Sequence, residues 1–475
     1  MIEEGAQASS LHYGPQVSCR RTRPLMRARC PRSLLFLLCL FLLSAAQAAD
    51  SIFPYQHQEM TLDNGLKAIL IPMKNATLVS YVTFVHTGSR DEVEPGKSGF
   101  AHFFEHMMFR GTEKYPPDVY AKIIADMGAD TNAFTSYDYT AYYLHFPPAY
   151  VEKIVDLESD RFMNLKYSVP EFQTEAKAVL GEYNKSVADP FFQLEEKLND
   201  TAFEKSTYKH TVMGFLKDIE DMPNQFEYSR TFFDRFYRPE NCVLIISGNF
   251  EPEQVKAWIR KYYSPWKKGS YKAPSIKDPA QDQQKTAGVA YKGETLPILV
   301  VAYKAPEFAT DSKDFASINL IAELAFGETS PLYEKLVLSE QKADLLFASF
   351  YASRDPYLFS IYARLKKEED LQAVQSAIDN TVEQMKTAPA EKQKLADLKS
   401  NRKYGFLMSF DTSKSIAGGL YNGNPAYIAL ALEGVAGVDR LFDMYQSITP
   451  DDVQKAAGKW FQPNQRTIIT LKGEK

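Results

Sequence analysis

Apolar and polar positions alternate in some segments of the chain and repeat at helical spacing in others. Residues 79–86 (VSYVTFVH) show an approximate alternation of period two, a pattern that predicts a half-buried β-strand. Helical spacing predicts four helices, over residues 118–127, 149–162, 315–325 and 370–386. Because these strands and helices do not follow strict β-α-β order, the pattern favours an α+β fold with largely antiparallel sheets.

A segment of linker composition divides the chain. Residues 265–288 are rich in Pro, Lys, Asp, Gln and Gly and show no periodicity. We therefore expect a first domain over residues 49–264 and a second domain over residues 289–475.

The two predicted domains echo each other in sequence. Residues 236–248 and 460–473 both run from an aromatic residue through Pro and Asn into a β-branched strand. Near the start of each domain, residues 67–72 and 296–302 correspond loosely as apolar strands. The echo predicts two similar halves.

The first 48 residues have the pattern of a secretory leader. Three arginines in residues 27–32 precede the apolar run 34–43, and the sequence Ala-Gln-Ala, a typical cleavage pattern, ends at Ala48. The apolar run is shorter than the ~20 residues that a membrane-spanning helix needs. We expect cleavage near Ala48 to leave a periplasmic protein without a membrane anchor. Met26 is a plausible true start.

Composition excludes some classes of protein. The net charge is −5 with both signs dispersed, so no basic stripe suggests nucleic-acid binding. Of four cysteines, only Cys242 follows the leader, so no disulfide is expected within the mature chain. Core burial must then stabilise the fold, and the chain that follows Ala48 is long enough to supply it.

Residues 102–106, His-Phe-Phe-Glu-His, carry the clearest chemical signal. On a helix, His102 and His106 lie one turn apart on one face, and Glu105 emerges beside that face. Two imidazoles can hold a zinc ion while a nearby carboxylate takes a proton from water. The surrounding helix is apolar on most sides, with Ser98 or Gly99 as its expected N-cap, and buried imidazoles there need a partner. The order H-x-x-E-H is that of the inverzincin metallopeptidases.

A catalytic zinc site requires a third protein ligand and one open position. Residues 171–184 have helical character, and Glu175 and Glu182 share one face because they are two turns apart. Periodicity alone does not decide between Glu171, Glu175 and Glu182 as the third ligand.

Five motifs resemble the pitrilysin, or insulinase, family of zinc peptidases. In chain order they are residues 102–112 (HFFEHMMFRGT), 128–135 (GADTNAFT), 175–182 (EAKAVLGE), 208–214 (YKHTVMG) and 236–248 (FYRPENCVLIISG). The resemblance covers nearly all of the chain after residue 55 and is strongest in the first half. It implies two similar α+β halves in a clamshell arrangement, with zinc on the inner wall of the first half.

The resemblance also implies roles for individual residues. His102, His106 and Glu182 would hold one Zn²⁺ per chain, Glu105 would be the general base, and Glu175 would steady a ligand or the water. The alternative for Glu175 is an exposed helix charge.

The resemblance further suggests how substrate binds. Asn132 and Ala133 would belong to an edge strand that pairs with the backbone of a peptide substrate. The alternative for Asn132 is an ordinary turn asparagine.

One departure from the family suggests a partner. Single-chain members have an arginine and a tyrosine in their second half that contact the substrate, but Val337 and Asp344 occupy the comparable positions here. Some bacterial members are heterodimers in which a homologous subunit provides this pair. We therefore expect the zinc-binding subunit of an endopeptidase that hydrolyses peptides or unfolded segments inside an enclosed chamber. This subunit would work with a homologous partner subunit or as a homodimer. A non-catalytic scaffold and a zinc-buffering protein are the alternatives.

Overall fold

The computed structural model describes residues 51–274 and 276–474, of which Ile52 onward forms one compact unit. The predicted leader therefore lies outside the described residues. Among the residues described, no helix is both long enough and apolar enough to cross a bilayer.

Six strands of the first half form one sheet in the order β1-β2-β6-β3-β5-β4. Only the β2–β6 pair is parallel. The strands are β1 (Gln58–Thr61), β2 (Lys67–Pro72), β3 (Val79–Val85), β4 (Asp130–Thr135), β5 (Thr140–Phe146) and β6 (Cys242–Gly248).

Five strands of the second half form another sheet in the order β7-β11-β8-β10-β9. Only the β7–β11 pair is parallel. The strands are β7 (Lys285–Lys292), β8 (Ile298–Ala305), β9 (Ala343–Phe350), β10 (Tyr357–Leu365) and β11 (Arg466–Glu474).

The two sheets repeat one topology, which confirms the predicted similarity of the halves. A parallel pair is followed by three antiparallel strands, so β2, β6, β3, β5 and β4 correspond to β7, β11, β8, β10 and β9. The echo between residues 236–248 and 460–473 is confirmed, because these segments contain β6 and β11. The correspondence of residues 67–72 with 296–302 was wrong, since the counterpart of β2 is β7.

Strand β7 was not predicted from the sequence because it lacks an apolar run. Its residues are alternately half-buried and exposed, and its middle reads Thr-Ala-Gly-Val-Ala. Its first four residues, 285–288, had been included in the predicted linker.

Helices pack around both sheets. The four predicted helices are confirmed within two residues at each end, as Pro117–Asp126, Val151–Asn164, Lys313–Phe326 and Leu371–Thr387. In full, the helices of eight or more residues, with two shorter ones, are α1 (Phe100–Met107), α2 (Pro117–Asp126), α3 (Val151–Asn164), α4 (Val169–Ser186), α5 (Pro190–Ala202), α6 (Leu216–Asp221), α7 (Phe226–Phe236), α8 (Pro252–Tyr263), α9 (Lys313–Phe326), α10 (Leu371–Thr387), α11 (Lys392–Ser409), α12 (Ser415–Tyr421), α13 (Pro425–Glu433), α14 (Val435–Ser447) and α15 (Pro450–Trp460).

The first sheet is buried on both faces. Leu70, Tyr81 and Leu144 pack with the phenylalanines of α1 in one cluster. Residues of the opposite face share one apolar cluster with α11 and α13 of the second half, and β3 and β5 contact α12 directly. The Tyr139 hydroxyl also donates to the Leu420 carbonyl at 2.7 Å. The halves of this chain are therefore packed directly on each other.

A helix of the first half packs against the second sheet. Leu194, Leu198 and Ala202 of α5 pack with Ile298 and Ile469. The structure thus has the predicted α+β class, with two mixed halves and largely antiparallel sheets.

Candidate metal centre

Helix α1 carries the histidine motif and is anchored at its N-terminus by a buried carboxylate. Gly99 precedes the helix with φ 92°, a left-handed conformation that glycine adopts without strain. The Glu92 carboxylate accepts hydrogen bonds from the backbone N–H groups of Gly99 and Ala101, each at 2.7 Å. Burial raises the pKa of Glu92 well above its usual range.

Ser98, one of the two candidate N-caps, does not cap α1. Its hydroxyl donates to Asp218 at 2.6 Å and accepts from the backbone N–H of Phe215 at 2.8 Å, so Ser98 joins the N-terminus of α1 to that of α6. Of the two expected cap positions, the structure uses Gly99, and Glu92 provides the side-chain oxygen. Sequence reasoning missed Glu92 because it lies outside the helix it caps.

The two histidines project from α1 on one face, as their spacing predicted. Their ring centroids lie 4.9 Å apart, with the ring planes at 86°. His102 is buried, whereas His106 is partly exposed, and the remaining faces of the helix are filled by buried phenylalanines.

Glu182 approaches both histidines from α4. This helix begins with a capping box in which Ser168 and Glu171 satisfy each other's backbone N–H groups. Glu182 Oε2 lies 3.4 Å from His102 Nε2 and 3.5 Å from His106 Nε2. The hydrogen bond with His102 lowers the pKa of Glu182 and so favours its ionised form.

His102, His106 and Glu182 offer candidate ligand atoms close enough together to hold one zinc ion. They all lie within 4.8 Å of one another. Tetrahedral zinc with bonds of about 2.0–2.2 Å to nitrogen and oxygen places neighbouring ligand atoms about 3.3–3.5 Å apart. The distances from Glu182 to the two imidazoles match this separation. Glu171, an alternative that periodicity left open, is instead engaged in the cap of α4.

Glu175 contacts His106 at Nδ1, the ring nitrogen that does not face Glu182. Its Oε2 is 3.3 Å from His106 Nδ1, and it also forms an ion pair with Arg110. An N–H at Nδ1 that donates to Glu175 leaves the Nε2 lone pair of His106 free to face Glu182 and a metal. Glu175 is buried, so it is not an exposed helix charge. The contribution of Arg110 was missed, although the residue is within the quoted motif.

Glu105 faces the edge strand β4. The Thr135 hydroxyl donates to Glu105 Oε2 at 2.7 Å, and this contact fixes the carboxylate beside the two histidines. Thr135 was also missed, because a contact between a helix and a strand 30 positions away leaves no periodic signal.

Asn132 and Ala133 lie on β4, which among the described residues pairs with β5 alone and forms one edge of the sheet. Asn132 is exposed, and its Oδ1 accepts the backbone N–H of Ala133 at 2.9 Å. The two residues therefore lie in an edge strand beside Glu105, not in a turn.

Val337 and Asp344 occupy different settings in the second half. Val337 lies in a π-helical turn, Glu334–Ser339. Asp344 lies on β9 and forms a two-pronged ion pair with Arg364 at 2.9 and 3.0 Å. An aspartate held in this way accepts hydrogen bonds and offers none to a carbonyl oxygen.

Comparison with known proteins decides the family. The model described as "Insulinase (Peptidase family M16)" matches residues 68–215, and that described as "Peptidase M16 inactive domain" matches residues 225–402. This chain belongs to the M16 peptidase family. Among its curated M16 relatives is the zinc protease PqqE of Helicobacter pylori, 27% identical over 436 residues, which are 90% of this chain and 96% of that protein.

Solved M16 structures share the fold. The crystal structure of a protease from Helicobacter pylori has a TM-score of 0.80 at 26% identity and covers 88% of this chain and 100% of that one. Pitrilysin has a TM-score of 0.72 at 19% identity, with 88% of this chain covered but only 45% of pitrilysin. This M16 chain thus spans about half of the pitrilysin chain.

Proposed function

We propose that this M16 protein is a zinc-dependent endopeptidase that hydrolyses peptides or unfolded segments. The proposal rests mainly on one observation, the convergence of His102, His106 and Glu182 from two helices, with Glu105 fixed beside them. The family membership supports it, because several relatives, including the Helicobacter pylori protein, are named zinc proteases.

His102, His106 and Glu182 would hold the ion and leave a fourth position open. Bound there, zinc supplies Lewis-acid polarisation of a carbonyl and a lowered pKa for water. Glu105 accepts a proton from the attacking water and passes it to the leaving amine nitrogen. Glu175 holds the His106 ring in the tautomer that offers Nε2.

The edge strand β4 would bind the substrate. An extended peptide can add to its free edge through backbone hydrogen bonds, which recognise chain conformation more than side-chain identity. Asn132 and Ala133 lie in that strand, and Thr135 at its end contacts Glu105, so the added peptide passes next to the base.

A quenched-peptide assay combined with the zinc content of the same preparation tests this function. An endopeptidase hydrolyses the peptide and holds about one zinc per chain. A scaffold subunit binds the peptide without cutting it, and a zinc-buffering protein holds zinc without cutting. Zinc-loaded protein that cuts no peptide, alone or with a homologous partner, would contradict the proposal.

A homologous partner subunit would complete the site. Neither Val337 nor the engaged Asp344 can donate to a carbonyl oxyanion, and removal of one such donor costs roughly 10²–10³ in rate in a well-studied protease. The two halves of this chain are packed on each other, so an enclosed chamber needs a second chain.

We expect weak peptidase activity of the protein alone and a gain on the order of 10²-fold when a homologous M16 chain with the arginine–tyrosine pair is added. The measurement is a titration of peptide hydrolysis against partner concentration, with a partner lacking the arginine as control. Equal activity with and without any homologous chain, in a preparation that sediments as a monomer, would contradict this expectation; a homodimer would be the other outcome consistent with a two-chain chamber.

Export to the periplasm is part of the proposal. It rests on the basic, apolar and Ala-Gln-Ala pattern up to Ala48, which precedes the described residues. We retain the division into a leader, a peptidase domain over residues 49–264 and a homologous domain after the linker as a proposal of the same kind.

A further inference from the structure

The outer edge of β7 borders a groove that the proposed chemistry does not use. The groove has a volume of about 870 Å³. Five consecutive residues of β7, 288–292, line it. Because successive strand residues point to opposite faces of a sheet, a consecutive run can line a groove only along the strand's backbone edge.

That edge is suited to pairing with another chain. Among the described residues β7 pairs with β11 alone, over all eight of its positions and without a register shift. Natural edge strands are commonly blocked by lysine, proline or a bulge in mid-strand. Here the lysines lie only at the two ends, Lys285 and Lys292, and the residues between are uncharged.

The facing wall of the groove is formed mainly by α5 and, at one end, by the last turns of α4, the helix that carries Glu182. Tyr183 and Asn184 line it, and they directly follow Glu182 on α4. With a rise of about 1.5 Å per residue, the groove begins within about one helical turn of the proposed zinc ligand. Tyr183 donates to Glu196 of α5 at 2.8 Å, so this wall is fixed.

We propose that the β7 edge is a second peptide-binding site, which takes an extended segment of the substrate outside the part bound at β4. This rests on the proposed function. Backbone groups along a free edge recognise an extended chain of almost any sequence, which is the substrate class of an endopeptidase for unfolded segments. Because the groove reaches α4 directly after Glu182, a long substrate bound at β4 would also reach β7 and be held at two points, whereas a short one would be held at one.

Proline substitution tests the edge directly. Backbone N–H groups of Val289 and Ala290 point to opposite sides of the strand, so one faces β11 and the other faces the groove. Both Val289→Pro and Ala290→Pro are made. The variant that removes the N–H facing the groove should keep its fold, because an edge strand tolerates proline at positions whose N–H does not pair with a neighbouring strand. Thermal unfolding identifies that variant.

Peptide affinities are then measured by fluorescence anisotropy in a Glu105→Gln background, with peptides of about 8 and about 25 extended residues at ~3.3 Å each. We expect the long peptide to bind about tenfold more tightly than the short one, and the folded proline variant to abolish this advantage. Ala290→Lys should do the same, because a mid-strand lysine opposes pairing. Gly405→Lys is the control, since a Cβ at Gly405 meets no atom within 4 Å.

An unchanged ratio of long-peptide to short-peptide affinity in both β7 variants would overturn the proposal. So would a change of mass from dimer to monomer in these variants, which would mean that a second copy of the chain occupies the edge. Hydrolysis of the short peptide by the unmodified protein reports the proposed function separately, because it needs the metal centre and β4 but not β7.

Discussion

Glu105→Gln is expected to retain zinc and to lose peptide hydrolysis. The amide has the shape of the carboxylate and can keep the hydrogen bond from Thr135, so the fold and the two histidines should be unaffected. It cannot accept a proton at neutral pH, and general acid–base catalysis contributes typically ~10²–10⁴-fold. We therefore expect kcat to fall on the order of 10³-fold. The measurement pairs quenched-peptide kinetics with zinc analysis of the same protein.

Glu113→Gln is the matched control for this variant. Glu113 lies in the same motif region but is exposed and pairs only with Lys166 on the surface, so its amide should leave both activity and zinc content unchanged. Wild-type hydrolysis by Glu105→Gln would show that another group takes the proton. Loss of zinc together with activity would show that Glu105 holds the ion.

Removal of a ligand should abolish both zinc binding and hydrolysis. His102→Ala leaves two of the three proposed ligands, and Glu182→Gln replaces a carboxylate with a neutral amide that binds zinc poorly. Glu175→Gln should have a smaller effect, a loss of about 10–100-fold in zinc affinity, because it acts through the orientation of His106. Zinc titration against a competing chelator measures the whole series.

Glu171→Gln is the control for the α4 variants. Glu171 is on the same helix and was one of the three candidates that periodicity left open, but the structure engages it with Ser168 at the helix start. It should leave the affinity for zinc unchanged, at a small cost in stability. If Glu171→Gln lost zinc while Glu182→Gln kept it, the assignment of the third ligand would be wrong.

Local patterns predicted much of this site. The i, i+4 spacing of His102 and His106 was enough to place both rings on one helical face, and the surrounding phenylalanines indicated that the helix was buried. The helix carrying Glu175 and Glu182 was predicted from its own periodicity and was found as Val169–Ser186. The selection of Glu182 needed the family resemblance, because periodicity does not distinguish between residues that lie one or two turns apart on the same face of a helix.

Contacts between distant segments could not be predicted in this way. Thr135 on Glu105, Arg110 on Glu175 and Glu92 at the start of α1 join elements whose relative placement depends on the whole core. Strand β7 could not be predicted from local patterns for the same reason. β7 has too few large apolar residues to be recognised as a strand, and its strand conformation depends on pairing with β11 and on packing against α5.

A crystal structure with anomalous data at the zinc absorption edge tests the central claim most directly. The account predicts one strong peak per chain, about 2.0–2.2 Å from His102 Nε2, His106 Nε2 and a carboxylate oxygen of Glu182, with the fourth position open to solvent. A zinc peak elsewhere, or a peak on the two histidines with Glu182 turned away in an active preparation, would contradict it.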